Sequence, residues 1–207
     1  MKSILLLFLT SMTLPIFSCR NKHMGNEQQE PPIIIYKKEK DTSSREKSPV
    51  ISISDTITPS MIVLCMKDSA SSSERIGIKL SNIYNKKLKE VIRLNKLTIT
   101  GPKIAWYRTS SPPFYFEAGI PVDKKPSKLP KKVYIKNMNG GNAVIAHYYG
   151  PYGLTFYAYE VLKEWMKSND KKQSLLPYES YVGESYDKDG NPIDPYKVRS
   201  DIIFPYR

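Results

Sequence analysis

The sequence predicts an α+β fold built from two pseudo-symmetric halves, each strand-helix-strand-strand, with antiparallel sheet carrying helices on one face. Three observations predict it. Apolar residues recur in steps of three and four at Ile76, Leu80, Ile83, Tyr84, Leu88, Val91 and Ile92, and again at Leu154, Ala158, Val161, Leu162 and Trp165, which puts each set on one helix face. An apolar strand precedes each helix, at residues 61–66 and 142–149. Two further strands follow each helix, so the order of elements repeats although the residues do not.

In the first half, residues 61–66 form an apolar strand that includes Cys65, a thiol expected to be buried and inert. Ser71-Ser72-Ser73-Glu74 has the Ser-x-x-Glu spacing of a capping box and starts the first helix. Thr100-Gly101-Pro102 closes that unit, and strands at 103–108 and 114–120 are joined by a turn at Ser110-Ser111-Pro112-Pro113. The second half opens with the 142–149 strand. Gly150-Pro151 then starts the second helix, with proline in its first turn. Strands at 178–183 and 197–204 follow, separated by a loop holding Asp189-Gly190-Asn191-Pro192. Residues 50–54 and 132–136 each supply a leading strand to their own half.

The N-terminus reads as an export signal over residues 1–18. Lys2 precedes an apolar run too short for the ~20 residues of a spanning helix. Ile16-Phe17-Ser18-Cys19 resembles the lipobox of bacterial lipoproteins, which implies lipidation at Cys19, a lipid anchor in a membrane and a place in the cell envelope. Residues 19–48 are rich in Lys, Glu, Gln, Asn and Ser and read as a flexible tether, with a reach of roughly 30 Å. The folded domain is expected over 49–207. With Cys19 lipidated, Cys65 is the one thiol left, so stability rests on a hydrophobic core.

The formal charge is +12, with a dense group at Lys124, Lys125, Lys128, Lys131, Lys132 and Lys136. This reads as a solvated lysine-rich loop, or as attraction to anionic lipid or envelope polymer. Nucleic acid is not expected as a partner, because Lys outnumbers the forked Arg side chains that read bases and residues 20–48 show no helix-turn-helix pattern. The stretch 146–181 holds neither a hydrolase triad nor a phosphate loop. His147 lies on an apolar strand without further ligands, so no metal and no cofactor is expected.

Ala118-Gly119-Ile120-Pro121-Val122, the His147-x-x-Gly150-Pro151-Tyr152 turn, the helix with Ala158-Tyr159, Leu162 and Trp165, Tyr178-Glu179-x-Tyr181, and the closing strand with Ile202 and Pro205 together resemble the GyrI-like, or AraC-type, effector-binding domain. The resemblance runs from about residue 50 to 207. It implies a fold shared with the haem-binding SOUL proteins, with a small-molecule pocket at the seam of the two halves, open to amphipathic and often cationic aromatic ligands. The family's acidic residue falls on Glu179. A second acid and tyrosine fall on Asp194 and Tyr196, and Tyr149 and Tyr152 match the aromatic lining, with Tyr181 beside the acid. A carboxylate in an aromatic cleft loses hydration, and a ligand cation repairs that cost. Strand alternation is expected to turn Glu179 away from Tyr178 and Tyr181 alike. Binding without catalytic residues is the first expectation. The alternative is a hydrolase of strained or small-ring compounds with Glu179 as general acid or base.

Overall fold

The computed structural model describes residues 47–207. The expected export signal, Cys19 and all but the last two residues of the expected tether lie outside the described residues.

The chain forms strands β1 (Val50–Thr58) and β2 (Met61–Ala70), helix α1 (Glu74–Asn82), a π-helical segment (Ile83–Leu88), helix α2 (Lys89–Leu94), then strands β3 (Lys103–Tyr107), β4 (Phe114–Val122), β5 (Val133–Met138) and β6 (Gly141–Tyr149). A 3₁₀ turn (Tyr152–Leu154), helix α3 (Phe156–Ser168), β7 (Tyr178–Tyr181), a second 3₁₀ turn (Pro195–Lys197) and β8 (Arg199–Pro205) complete it. The α+β expectation and the repeat of element order both hold.

All strands join one eight-stranded sheet in the order β1-β6-β8-β7-β3-β4-β2-β5, every pair antiparallel. The halves meet where β3 pairs with β7. The leading strands are not where the sequence puts them. β1 precedes β2 but pairs with β6 of the second half, and β5 precedes β6 but pairs with β2 of the first. Each half is therefore completed at its outer edge by a strand from the other. β1–β2 and β5–β6 are joined by two residues each, yet neither forms a hairpin ladder. The two connections instead meet, with the Gly140 N–H donating to Ser60 Oγ at 3.1 Å. A side chain on Gly140 would strike the Thr58 carbonyl.

One transverse row of the sheet reads Ala146, Ile202, Glu179, Ala105, Ala118, Met66. Alternation puts all of them on one face, and this is the face that α1, α2 and α3 cover. Over the first half Leu64, Met66, Phe116 and Ile120 pack under Ile76, Ile83, Leu88 and Val91. Over the second, Val144, Ala146, Ile202 and Phe204 pack under Ala158, Tyr159, Leu162 and Met166. The opposite face carries a smaller cluster of Val63, Cys65, Ile104, Trp106, Tyr178 and Ile203.

The local starts differ from the sequence reading in two places. α1 begins at Glu74, with Ser73 at its cap position and no side-chain capping bond; Ser73 Oγ bonds the Glu74 carboxylate instead, so the Ser71 capping box does not form. Pro151 is extended (ψ 136°) and leads into the 3₁₀ turn, so α3 starts five residues after it. Gly150 is needed there because an added Cβ would lie 2.8 Å from Pro49 and 3.0 Å from the Tyr148 hydroxyl. That hydroxyl donates to the Pro151 carbonyl at 2.5 Å and fixes the turn.

Candidate functional site

Glu179 sits in the middle of β7 at the seam, on the helix-covered face, and is 2% exposed. Small neighbours in its row, Ala105 and Ala118, leave height above the sheet, and tyrosines fill it. Tyr159 from α3 donates to Glu179 Oε1 at 3.0 Å. Tyr152 from the 3₁₀ turn and Tyr181 from β7 donate to Oε2 at 3.0 and 2.9 Å. Tyr107 on β3 extends the network, 2.8 Å from the Tyr181 hydroxyl and 2.5 Å from that of Tyr152. Tyr84, carried by the π-helical segment, packs edge-on to Tyr181 with ring centroids 6.5 Å apart and donates to the Ile104 carbonyl at 2.7 Å.

Burial pushes the Glu179 carboxyl above the usual carboxylate range, although the hydroxyls of Tyr181, Tyr152 and Tyr159 pull the other way. Burial, reinforced by the Glu179 charge, pushes the hydroxyls of Tyr152, Tyr159 and Tyr181 far up, so they stay protonated donors. Among the described residues no cationic side chain forms a salt bridge with Glu179.

The expectation that Glu179 faces away from both flanking tyrosines is corrected. Tyr181 is two residues on, so the strand's period of two puts it on the same face, and it bonds the carboxylate directly. Of the residues expected to form the site, Glu179, Tyr152 and Tyr181 come together, and Tyr149, Asp194 and Tyr196 do not. Tyr148 points into the α3 core, so its neighbour Tyr149 emerges on the other face of the sheet. Asp194 is exposed and accepts from the Tyr196 N–H at 3.0 Å, capping its own turn. Tyr196 donates to the Lys47 carbonyl, and the Lys47 ammonium lies 4.5 Å from its ring centre. Sequence reasoning missed Tyr84, Tyr107 and Tyr159. Tyr159 was findable, since it lies three residues before Leu162 and seven before Met166 on the buried face of α3.

The other face holds a second set of charges. Glu117 on β4 is fully buried; burial pushes its carboxyl up, but Lys136 and Arg108 hold it below the usual range. Lys136 pairs with Glu117, and its ammonium lies 3.9 Å from the centre of the Trp106 ring. Lys136 is thus a β5 residue with a structural partner and not part of a solvated lysine loop. Cys65 is buried nearby, with its thiol pushed up to about 12 by burial and the Glu117 charge, which suits an inert thiol. A cleft of about 750 Å³ also opens on this face. It is bounded by the two crossing connections and by Ile104, Tyr178, Ser180 and Asp201, and Glu179 does not line it. Among the described residues no three metal-ligating side chains cluster.

No family model and no curated protein matches the chain. Solved structures do. The cryo-EM structure of an EcmrR–DNA complex aligns at 20% identity and a TM-score of 0.64, covering 76% of this chain and 57% of that one. The EcmrR C-terminal domain aligns with the same identity and score and is covered over 98% of its length. A hydrolase from Listeria innocua aligns at 11% identity and a TM-score of 0.50, over 80% of this chain and 94% of that one. The chain thus spans little more than half of EcmrR in the complex, and its likeness there falls on the C-terminal domain. At these identities what is shared is the architecture, and the architecture of this chain is an α+β, GyrI-like fold.

Proposed function

We propose that the domain binds flat amphipathic small molecules, cationic aromatic ones above all, at Glu179, and that a lipid on Cys19 holds it in the cell envelope. The observation that carries the binding role is a carboxylate 2% exposed, enclosed by tyrosines at the seam and without an ion pair among the described residues. An ionised carboxylate so placed has lost its hydration, and three neutral hydroxyls replace only part of it. A bound cation supplies the missing countercharge, and each tyrosine face adds about 0.5–2 kcal/mol of cation–π attraction. Tyr152 and Tyr181 are half-buried and cover the carboxylate from outside, so a ligand enters by displacing the Tyr152 hydroxyl on its short turn. The anchor rests on the sequence alone, on Ile16-Phe17-Ser18-Cys19.

Fluorescence titration with N-methylacridinium and with uncharged acridine tests the binding role. Wild type binds the cation more tightly, and Glu179→Gln weakens the cation by tenfold or more while leaving acridine within twofold. Equal affinity of the two proteins for N-methylacridinium removes Glu179 from the function. For the anchor, Cys19→Ala moves the protein from the membrane fraction to the soluble one; retention in the membrane overturns it.

One observation favours a second reading. The Glu179 carboxyl is raised by burial, which suits a general acid acting on a small strained ring brought in among the same tyrosines. Turnover of an aryl epoxide that survives in Glu179→Gln rejects it.

A further inference from the structure

On the sheet face away from the helices, three side chains from neighbouring strands form a hydrogen-bonded line. Ser54 Oγ on β1 lies 3.0 Å from His147 Nε2 on β6, and His147 Nδ1 lies 2.7 Å from Asp201 Oδ1 on β8. Arg199 donates to the other Asp201 oxygen at 3.0 Å and fixes the carboxylate. The donor inventory sets the polarity of the line: Nδ1–H donates to Asp201, and the Nε2 lone pair accepts from the serine hydroxyl. This is the tautomer a base needs to take a proton from serine. A plain cross-strand ladder brings polar neighbours together, but this line has a buried acid at one end, a half-exposed hydroxyl at the other and a cleft beside it.

The line meets the 750 Å³ cleft at its Asp201 end. Ser54 stands opposite Ile145 and His147 opposite Asp201, and both Ile145 and Asp201 line the cleft with Met61, Met138, Tyr178 and Ile203. Such a volume and lining accept an apolar chain of small-molecule size. Among the described strands β1 lies at the sheet edge, where its outward amides are candidate donors to a developing oxyanion.

We propose that Ser54, His147 and Asp201 form a second, hydrolytic site that cleaves esters of apolar acyl groups, with the acyl chain in the outer cleft. Ser54 Oγ attacks the ester carbonyl carbon while its proton passes to His147 Nε2. The tetrahedral intermediate collapses with cleavage of the acyl–oxygen bond, and the imidazolium returns the proton to the departing alkoxide. Water then gives a proton to the same Nε2 and attacks the acyl-serine, releasing the carboxylic acid and restoring the Ser54 hydroxyl. Asp201 is a positioning residue that holds the tautomer and balances the imidazolium. The site is on the opposite face of the sheet from Glu179 and is independent of the binding role proposed there.

The test is hydrolysis of p-nitrophenyl butyrate by the full chain. Wild type is expected to exceed Ser54→Ala and His147→Asn by a hundredfold or more, with melting temperatures unchanged for the half-exposed Ser54→Ala. Asp201→Asn lowers kcat tenfold or more with KM within twofold, and Asp201→Glu recovers part of it. A fluorophosphonate reagent leaves a mass adduct on Ser54 of the wild type, and Ser54→Ala takes none. Equal turnover by wild type and Ser54→Ala, or a reagent-treated wild type without an adduct on Ser54, overturns the proposal.

Discussion

Ala105 stands directly opposite Glu179 across the β3–β7 seam, so the axis that relates the two halves pairs a methyl group with a buried carboxylate. One further residue along each strand, the same axis pairs Trp106 with Ser180, whose cross-strand neighbours are Glu117 and Asp201. The outer face has therefore kept an acid in each half, with cationic partners for both, whereas the inner face keeps one acid among tyrosines.

Glu179→Gln is expected to raise stability at neutral pH. The folded carboxyl has a raised pKa, so the folded chain holds that proton more tightly than the unfolded chain does. Its stabilising contribution is complete below the unfolded value of about 4.3 and is lost as pH rises through the folded value. Thermal melting from pH 4 to pH 9 should show the variant above wild type at the alkaline end and the two converging toward pH 4. A constant gap across that range would contradict the assignment.

Tyr159→Phe leaves Glu179 Oε1 without the hydroxyl that serves it, and the ring is buried, so water does not replace the donor at once. The loss is expected to be about 2 kcal/mol by urea unfolding at pH 7. Tyr181→Phe should cost less, because Oε2 keeps the Tyr152 hydroxyl.

Lys136→Met removes a partner of a fully buried carboxylate, and breaking such a pair costs about 3 kcal/mol. Glu117 has a depressed pKa, so its contribution is present above the unfolded value and disappears as pH falls through the folded one. The penalty should accordingly shrink in acid, and the double variant Lys136→Met/Glu117→Gln should recover much of it. Denaturant midpoints of the singles and the double check this.

Gly119→Ala is expected to destabilise by about 1–3 kcal/mol through overpacking. Its Cβ would lie 2.5 Å from Val63 Cγ1 and 3.1 Å from Cys65 Sγ, where β2 and β4 pair in the core. Val63→Ala in the same chain should return part of the loss, as a pair of thermal melts would show.

The fold was legible because helix and strand periods are local. Ile76 to Ile92 and Ala158 to Leu162 announce their faces by spacing, and Met61 to Met66 reads as buried strand without knowledge of its neighbours. The exchange of leading strands was not, since nothing local distinguishes pairing of β1 with β2 from pairing with β6. Around Glu179, Tyr152 and Tyr181 lie close enough in sequence to be placed by turn and strand geometry. Tyr107 and Tyr84 meet Tyr181, one of the carboxylate's donors, only through the β3–β7 pairing and the π-helical segment after α1. Asp194 and Tyr196 show the converse, for both are taken up by the turn before β8, Asp194 with the Tyr196 N–H and Tyr196 with the Lys47 carbonyl. His147 read as solitary because its partners, Ser54 and Asp201, lie 93 and 54 residues away.

The exchange of outer strands makes the two halves mutually dependent. Severed in the linker between β4 and β5, the chain would fall into two pieces, each with an unfinished sheet and each carrying the margin that the other lacks. Such fragments would find order together and not apart, so the ring of tyrosines around Glu179 is assembled only where both are present.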